Sequence, residues 1–341
     1  MSHDLGERLA ATLQDRAGGT VDTGALVRGA RERGGRLRRR RWLLTSAGTA
    51  VLALAVAAVV LVTPGLPRPG GTATPALPAA ADQPGAAARP DLVGTDPGVL
   101  HFTADHLVAG STHVTWGAAA GVESVQTLGA DVTALFLLAG DASALDGADR
   151  TLGSGGGSVT REDVLVGDRP GRAWPDGGTW TVDWQPSAGL WARLQMLGAG
   201  RAELLTAAAA IRFDGARRCA VPFRLTVVPD GMRTLSCSVM LGSGGFSEGA
   251  LLVGDDDRWF SVRVERADGH RPAAPRGELT AGPYRVDRED TRALRTVAGS
   301  CYVGLIRDGW GSWAKGVTEP EALSVLAGYR PAGDPADPSS W

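Results

Sequence analysis

The sequence predicts an α+β protein, in which one transmembrane helix is joined to a mainly antiparallel β ectodomain with a few helices. Three observations predict it. An uncharged, proline-free run of 21 residues spans Trp42–Val62. Thr179–Trp184 (TWTVDW) alternates apolar with polar side chains, the period of a half-buried strand. Two stretches read as helices, Arg201–Ile211 and Glu319–Leu326.

The apolar run matches a membrane span, since about 20 residues at 1.5 Å each cross a hydrocarbon core of about 30 Å. Arg38, Arg39, Arg40 and Arg41 abut its N-terminal side, while TPGLPRPGG opens the far side. By the positive-inside rule the N-terminus is cytoplasmic and the large domain extracytoplasmic. The charge distribution agrees. Residues 1–41 carry ten Arg against five Asp/Glu, a net +5, whereas the chain beyond 62 carries 25 basic and 32 acidic residues, a net −7. A cleavable signal would have a short basic region and a shorter apolar stretch. The match of Arg39-Arg40-Arg41-Trp42-Leu43 to a twin-arginine signal is one that an arginine block makes easy.

Ahead of the span, Leu5, Leu9 and Leu13 form one apolar stripe, and Ala25–Arg33 is a second weak helical stretch. The expected partner of this basic tail is anionic lipid near Arg38–Arg41. Residues 63–98 hold eight of the twenty prolines among Ala, Gly and Thr, the composition of an extended spacer. The expected organisation is therefore a tail (1–41), a span (42–62), a linker (63–98) and an extracytoplasmic domain (99–341).

Within that domain Ala220–Val228 and Arg233–Leu241 flank Pro229-Asp230-Gly231, a hairpin signal. Leu251–Val253 and Trp259–Val264 are further strands, split by Asp255-Asp256-Asp257. Thr318 is placed to cap the second helix, with Pro320 in its first turn. The two helices close a diverged pair of β-β-β-α units. VDWQPSAGLWARL precedes the first helix and VGLIRDGWGSWAKG the second, with Trp191-Ala192-Arg193 set against Trp313-Ala314-Lys315 and Val182 against Val303.

Residues 1–98 resemble, in layout, the bitopic envelope proteins of high-GC Gram-positive bacteria: basic tail, one span, Pro-rich stalk, ectodomain. More loosely, the repeated strands-then-helix pattern over 159–216 and 282–332 resembles the LolA/RseB-like half-barrels, which implies binding of lipids or lipoproteins. No diagnostic motif accompanies the second likeness, so no functional residue is carried over from it.

Candidate chemistry is sparse. Gly245-Phe246-Ser247-Glu248-Gly249 fits the G-x-S-x-G nucleophile elbow, but that elbow needs a strand before it and a helix after it, and a strand-like ALLVG follows here. The histidine downstream, His270, lies in a Pro/Arg loop. Asp255-Asp256-Asp257 and Asp141–Asp149 miss the ligand spacing of a calcium loop. Gly153–Ser158 lacks the lysine of a phosphate loop. His101, His106 and His113 are read as scattered surface residues. Three cysteines (Cys219, Cys237, Cys301) form no CxxC and no Cys/His cluster, so no metal and no cofactor are expected. Three pairings are open, and Cys219–Cys237 is the favoured disulfide. It carries an objection: in a tight hairpin at Asp230-Gly231, Cys237 would face Arg224, leaving Cys219 about 17 Å along the strand. Trp180 and Trp184 share a face with Val182 and read as core. Trp310 and Trp313, among glycines, are the candidates for exposed aromatic contacts.

The reading that results is a non-enzymatic ectodomain that binds an envelope protein or an apolar ligand without turnover, and no nucleic acid. The alternatives are an anti-sigma-like regulator, a passive envelope tether and a secreted serine hydrolase. They are separated by what fills the space between the helices and the sheet.

Overall fold

A computed structural model of the chain describes residues 76–341, except 105–106, 120, 147–158, 256, 268–271, 290–292, 308–314 and 336. The expected span and the arginines before it lie outside the described residues. Among the described residues no helix is long and apolar enough to cross a membrane.

The described chain is built twice on one plan. The first half runs β1 (Val99–Leu100), β2 (His113–Ala119), β3 (Val122–Leu128), β4 (Thr133–Ala139) and a short helix α1 (Ala142–Asp146). It continues through β5 (Glu162–Val166), β6 (Arg169–Asp176), β7 (Thr179–Trp184) and β8 (Trp191–Leu197) to helix α2 (Arg201–Ala209) and β9 (Arg217–Arg218). The second half runs β10 (Phe223–Leu225), β11 (Arg233–Gly242), β12 (Gly245–Gly254), β13 (Arg258–Arg266), β14 (Leu279–Ala281) and β15 (Tyr284–Arg288). It ends with β16 (Ala293–Ala298), β17 (Cys301–Ile306), β18 (Lys315–Gly316), helix α3 (Glu319–Ala327) and β19 (Tyr329–Pro331). The strand order is β2-β3-β4-β8-β7-β6-β5 in one half and β11-β12-β13-β17-β16-β15-β14 in the other. The orders correspond strand for strand. Antiparallel pairing of β2 with β11 fuses them into one fifteen-stranded sheet, with β18 lying alongside β13.

The smaller pairings repeat too. In the first half Thr103, just past β1, bridges Arg212 after α2; in the second, Arg224 of β10 pairs with Arg330 of β19 after α3. The helices are set by matching caps. Glu203 accepts a hydrogen bond from the Gly200 N–H (2.8 Å) and Glu321 one from the Thr318 N–H (2.7 Å), each satisfying a donor ahead of the first turn. Counted from those caps, the buried positions are the same three: Leu204, Ala207 and Ala208 in α2, and Ala322, Val325 and Leu326 in α3.

Both helices bury these side chains on one face of the sheet, in a single apolar cluster that runs through both halves. From the strands it takes Trp116 of β2, Phe136 of β4, Val182 and Trp184 of β7, Val239 of β11, Val262 of β13 and Val303 of β17. The opposite face carries polar side chains such as Thr115, Gln126, Thr181 and Gln195, and at β4 it is apolar. There Leu135, Leu137 and Ala139 are covered by Leu145 of α1, which is why Thr133–Ala139 is apolar on both faces. Arg193 holds α1 in place. Its Nε and Nη2 donate to Asp183 (2.6 and 2.7 Å) and its Nη1 to the Leu145 carbonyl (3.1 Å).

Three expectations change. Residues 220–228 do not form a hairpin with Arg233–Leu241. Only Phe223–Leu225 is a strand and it pairs with β19, while β11 pairs with β12 and β2. A turn signal fixes local geometry, but the partner is chosen by burial of the long apolar face of β11. The expected spacer is part of the fold from residue 76 onward. Leu77, Ala80, Ala86 and Val93 are buried, and the Arg217 guanidinium holds the Leu77 carbonyl (2.7 Å). Last, the repeat is larger than its sequence trace, and β7 and β8 correspond to β16 and β17. The match of Val182 to Val303 therefore compares strands in different places in the sheet.

Candidate interaction surface

The residues marked by the sequence scatter over the fold. Cys219 and Cys237 are joined in a disulfide, with Cα atoms 6.1 Å apart. The expected 17 Å separation vanishes because Cys219 is not on a hairpin partner of β11. Its N–H donates to the Gly98 carbonyl (2.9 Å), which places it in the segment between β9 and β10 that crosses the apolar face where Cys237 projects. Cys301 is a buried thiol whose burial pushes its pKa up. Trp310 and Trp313 lie outside the described residues, as do His106 and His270. Asp255 and Asp257 belong to the β12–β13 turn, where Asp255 accepts the N–H groups of Asp257 and Arg258 (3.0 and 2.7 Å).

Ser247 lies inside β12. Met240 opposes Glu248 and Leu241 opposes Phe246, so Ser247 is the extra residue of a β-bulge. The strand continues to Gly254, and the strand–turn–helix setting of a nucleophile elbow is not formed there.

His101 is not a surface residue. Its Nδ1 lies 2.6 Å from Glu123 Oε1, with both side chains almost fully buried. Glu123 also accepts from the backbone N–H of His101 (2.6 Å) and of Gly94 (3.0 Å). One carboxylate thus gathers three donors and pins the segment before β2 to β3. Gly94 sits at φ 70°, and a side chain there would collide with the backbone of Gly121. This is a structural clamp that sequence spacing could not reveal, because its two residues are 22 apart.

The surface with the clearest capacity for a partner is one end of the sheet. Among the described residues β5 pairs with β6 alone. Its Val164 and Val166 point into the core, and Leu165 points the other way at 65% exposure, the highest among the exposed large hydrophobics. Leu165 opposes Pro170 on β6. Proline has no N–H, so this is a pair that exchanges no ladder bonds, and Val164–Gly171 and Val166–Arg169 carry them instead. The two-residue turn Gly167-Asp168, with Gly167 at φ 62°, closes the Val166–Arg169 pair in agreement. Residues alternate in the direction of their backbone groups, so the N–H and C=O of Asp163 and Leu165 face away from β6.

The corresponding edge at the other end is managed differently. The β14–β15 hairpin also turns on a glycine, Gly282 at φ 56°, but that turn packs against Ala327 at the end of α3. Tyr284, just after it, donates to the Tyr329 carbonyl (3.3 Å). A Cβ on Gly167 would meet nothing within 4 Å. The β5–β6 hairpin is also longer, with five paired positions against three.

Electrostatics on the outer face follow a regular order toward this edge. Arg193 on β8, Asp183 on β7, Arg172 on β6 and Asp163 on β5 are directly opposed in register, alternating in sign strand by strand. The inner pair is a bidentate, largely buried contact. The outer pair, Arg172–Asp163, is 3.8 Å apart and solvated, with Asp163 98% exposed.

The sequence matches no protein-family model, and no curated protein matches it. Among solved structures the chain is similar to MucB in complex with MucA(peri), at 13% identity and a TM-score of 0.21, over 65% of this chain and 93% of that one. It is similar to MucB alone at 14% identity and a TM-score of 0.20, over 65% and 92%. The MucA/MucB complex of Pseudomonas aeruginosa gives 12%, 0.21, 65% and 93%.

Proposed function

We propose that this chain is a single-pass membrane protein whose extracytoplasmic domain binds a protein partner of the envelope without turnover. The observation that carries the reading is the filled face of the sheet. Leu204, Ala207 and Ala208 of α2 and Ala322, Val325 and Leu326 of α3 belong to the same buried cluster as the strands beneath them. A half-barrel that carries a lipid keeps that face hollow for an acyl chain. Here protein side chains occupy it, which favours recognition at the outer surfaces and edges. The Cys219–Cys237 disulfide supports an oxidising compartment for the domain. The arginines ahead of Trp42 support a cytoplasmic N-terminus.

Two measurements test this. Protease added to intact protoplasts is expected to degrade residues beyond about 63 and spare the tail; a protected large domain would overturn the topology. Reversible crosslinking in living cells, then reconstitution with the purified crosslinked protein, is expected to give saturable binding with the mass of both chains unchanged. A covalent change in the bound molecule would make the domain an enzyme. Absence of any crosslinked protein would leave it a tether.

A further inference from the structure

We propose that the outward edge of β5 is a docking site for an extended, basic-and-apolar segment of a protein partner, which adds as an antiparallel strand. The inference rests on the protein-binding reading above and names its surface and mode.

Three features of the chain converge on this edge. The N–H and C=O groups of Asp163 and Leu165 face outward, since Pro170 fixes the pairing phase of the hairpin. An unpaired row of this kind is a template for another strand, and proteins ordinarily blunt it. The second half does blunt its own edge, with a three-residue strand whose turn is packed against Ala327. The first half leaves a five-residue strand with a free turn, and displays Leu165 beside it. Charge identifies the occupant. The row Arg193, Asp183, Arg172, Asp163 alternates in sign with each strand. The next strand therefore finds a favourable cross-strand pair with Asp163 if it places Arg or Lys there. Opposite Leu165 it gains from an apolar residue. In antiparallel sense the recognised pattern is apolar, any residue, basic.

A second copy of this chain fits less well. With Asp163 opposite Leu165 of the other copy, each exposed Asp163 faces an apolar side chain, and the nearby cation on the same face, Arg161, is already engaged 4.4 Å over the Trp174 ring of its own chain.

The test uses the full chain in detergent micelles and a blocked nine-residue peptide, Val-Thr-Arg-Thr-Val-Thr-Arg-Thr-Val, which repeats the apolar, any residue, basic pattern. Binding is read by fluorescence anisotropy and by hydrogen exchange of the Asp163 and Leu165 amides. Saturable binding with slowed exchange at those two amides is expected, and an N-methylated or a glutamate-for-arginine peptide should bind at least tenfold more weakly. Leu165→Pro removes an outward N–H and none of the β5–β6 ladder bonds, so it should fold and lose binding at least tenfold. Asp163→Lys should reverse the preference toward the glutamate peptide. Equal binding to wild type and Leu165→Pro, or no binding to wild type, would overturn edge docking. Concentration-dependent dimerisation abolished by Leu165→Pro would assign the edge to a second copy and also overturn it. The protein-binding reading survives any of these results if the crosslinked envelope protein still binds, and falls separately if none is found.

Discussion

Trp116 on β2 and Val239 on β11 oppose one another across the antiparallel pair that joins the two halves, and both are buried in the shared apolar cluster. The main core is shared by the two halves. The ring of Phe102, from the segment before β2, packs 5.9 Å from Trp116 and 4.8 Å from Phe136, which ties the N-terminal segment into the same mass.

Unfolding is accordingly expected to be one cooperative transition for both halves. Trp116→Ala should cost about 3–5 kcal/mol, the usual range for truncating a buried aromatic. Urea titration followed in each half by a separate probe will check this, and two separated midpoints would contradict it.

The disulfide ties the segment between β9 and β10 to β11 of the sheet. With Cys219 and Cys237 separated by 18 positions in sequence, loop entropy predicts a loss of about 3 kcal/mol on Cys237→Ala. The buried Cys301 thiol should resist alkylation in the native state and react only on unfolding. Mass mapping that joins Cys237 to Cys301 would refute the pairing.

Glu123→Gln keeps the shape of the clamp and removes its charge. Hydrogen bonds to a charged group contribute about 1.5–3 kcal/mol, so stability should fall by that order. Amide exchange at Gly94 and His101 should accelerate together, since both donate to this carboxylate. Unchanged exchange would mean that the segment is held by other contacts.

Glu248 gives a pH dependence of defined sign. Burial pushes its carboxyl above the usual range, against the opposing attraction of Arg263, which lies 2.5 Å away. A carboxyl raised in the folded state contributes stability below its unfolded pKa, and that contribution is lost as pH rises through the folded value. Relative to wild type, Glu248→Gln should thus be more favourable at pH 7 than at pH 4. Denaturant midpoints at the two pH values will show it, and a shift in the opposite direction would contradict the assignment.

Ser247→Ala should leave partner binding unchanged, and a fluorophosphonate probe should not label Ser247. The residue sits in a bulge of a continuing strand, a setting that does not aim its hydroxyl as an elbow does. Covalent labelling would reverse this.

Periodicity alone determined much of the secondary structure. The alternation of Thr179–Trp184, the two strands around Asp255–Asp257 and both helices are where their patterns put them. Thr318 caps α3 through its hydroxyl, which accepts from the Glu321 N–H (3.4 Å). These are local properties, set by side chains within a few residues of each other. The tertiary structure decided everything that depends on which strand meets which. It paired Phe223–Leu225 with the distant β19 instead of the neighbouring β11, and brought Cys219 within bridging distance of Cys237. It set Glu123 under His101, left β5 paired on one side only among the described residues, and packed the turn of the β14–β15 hairpin against Ala327. Turn residues and alternation carry no address for a partner a hundred residues away. That choice is made when two apolar faces are removed from water together, a property of the whole sheet rather than of any segment in it.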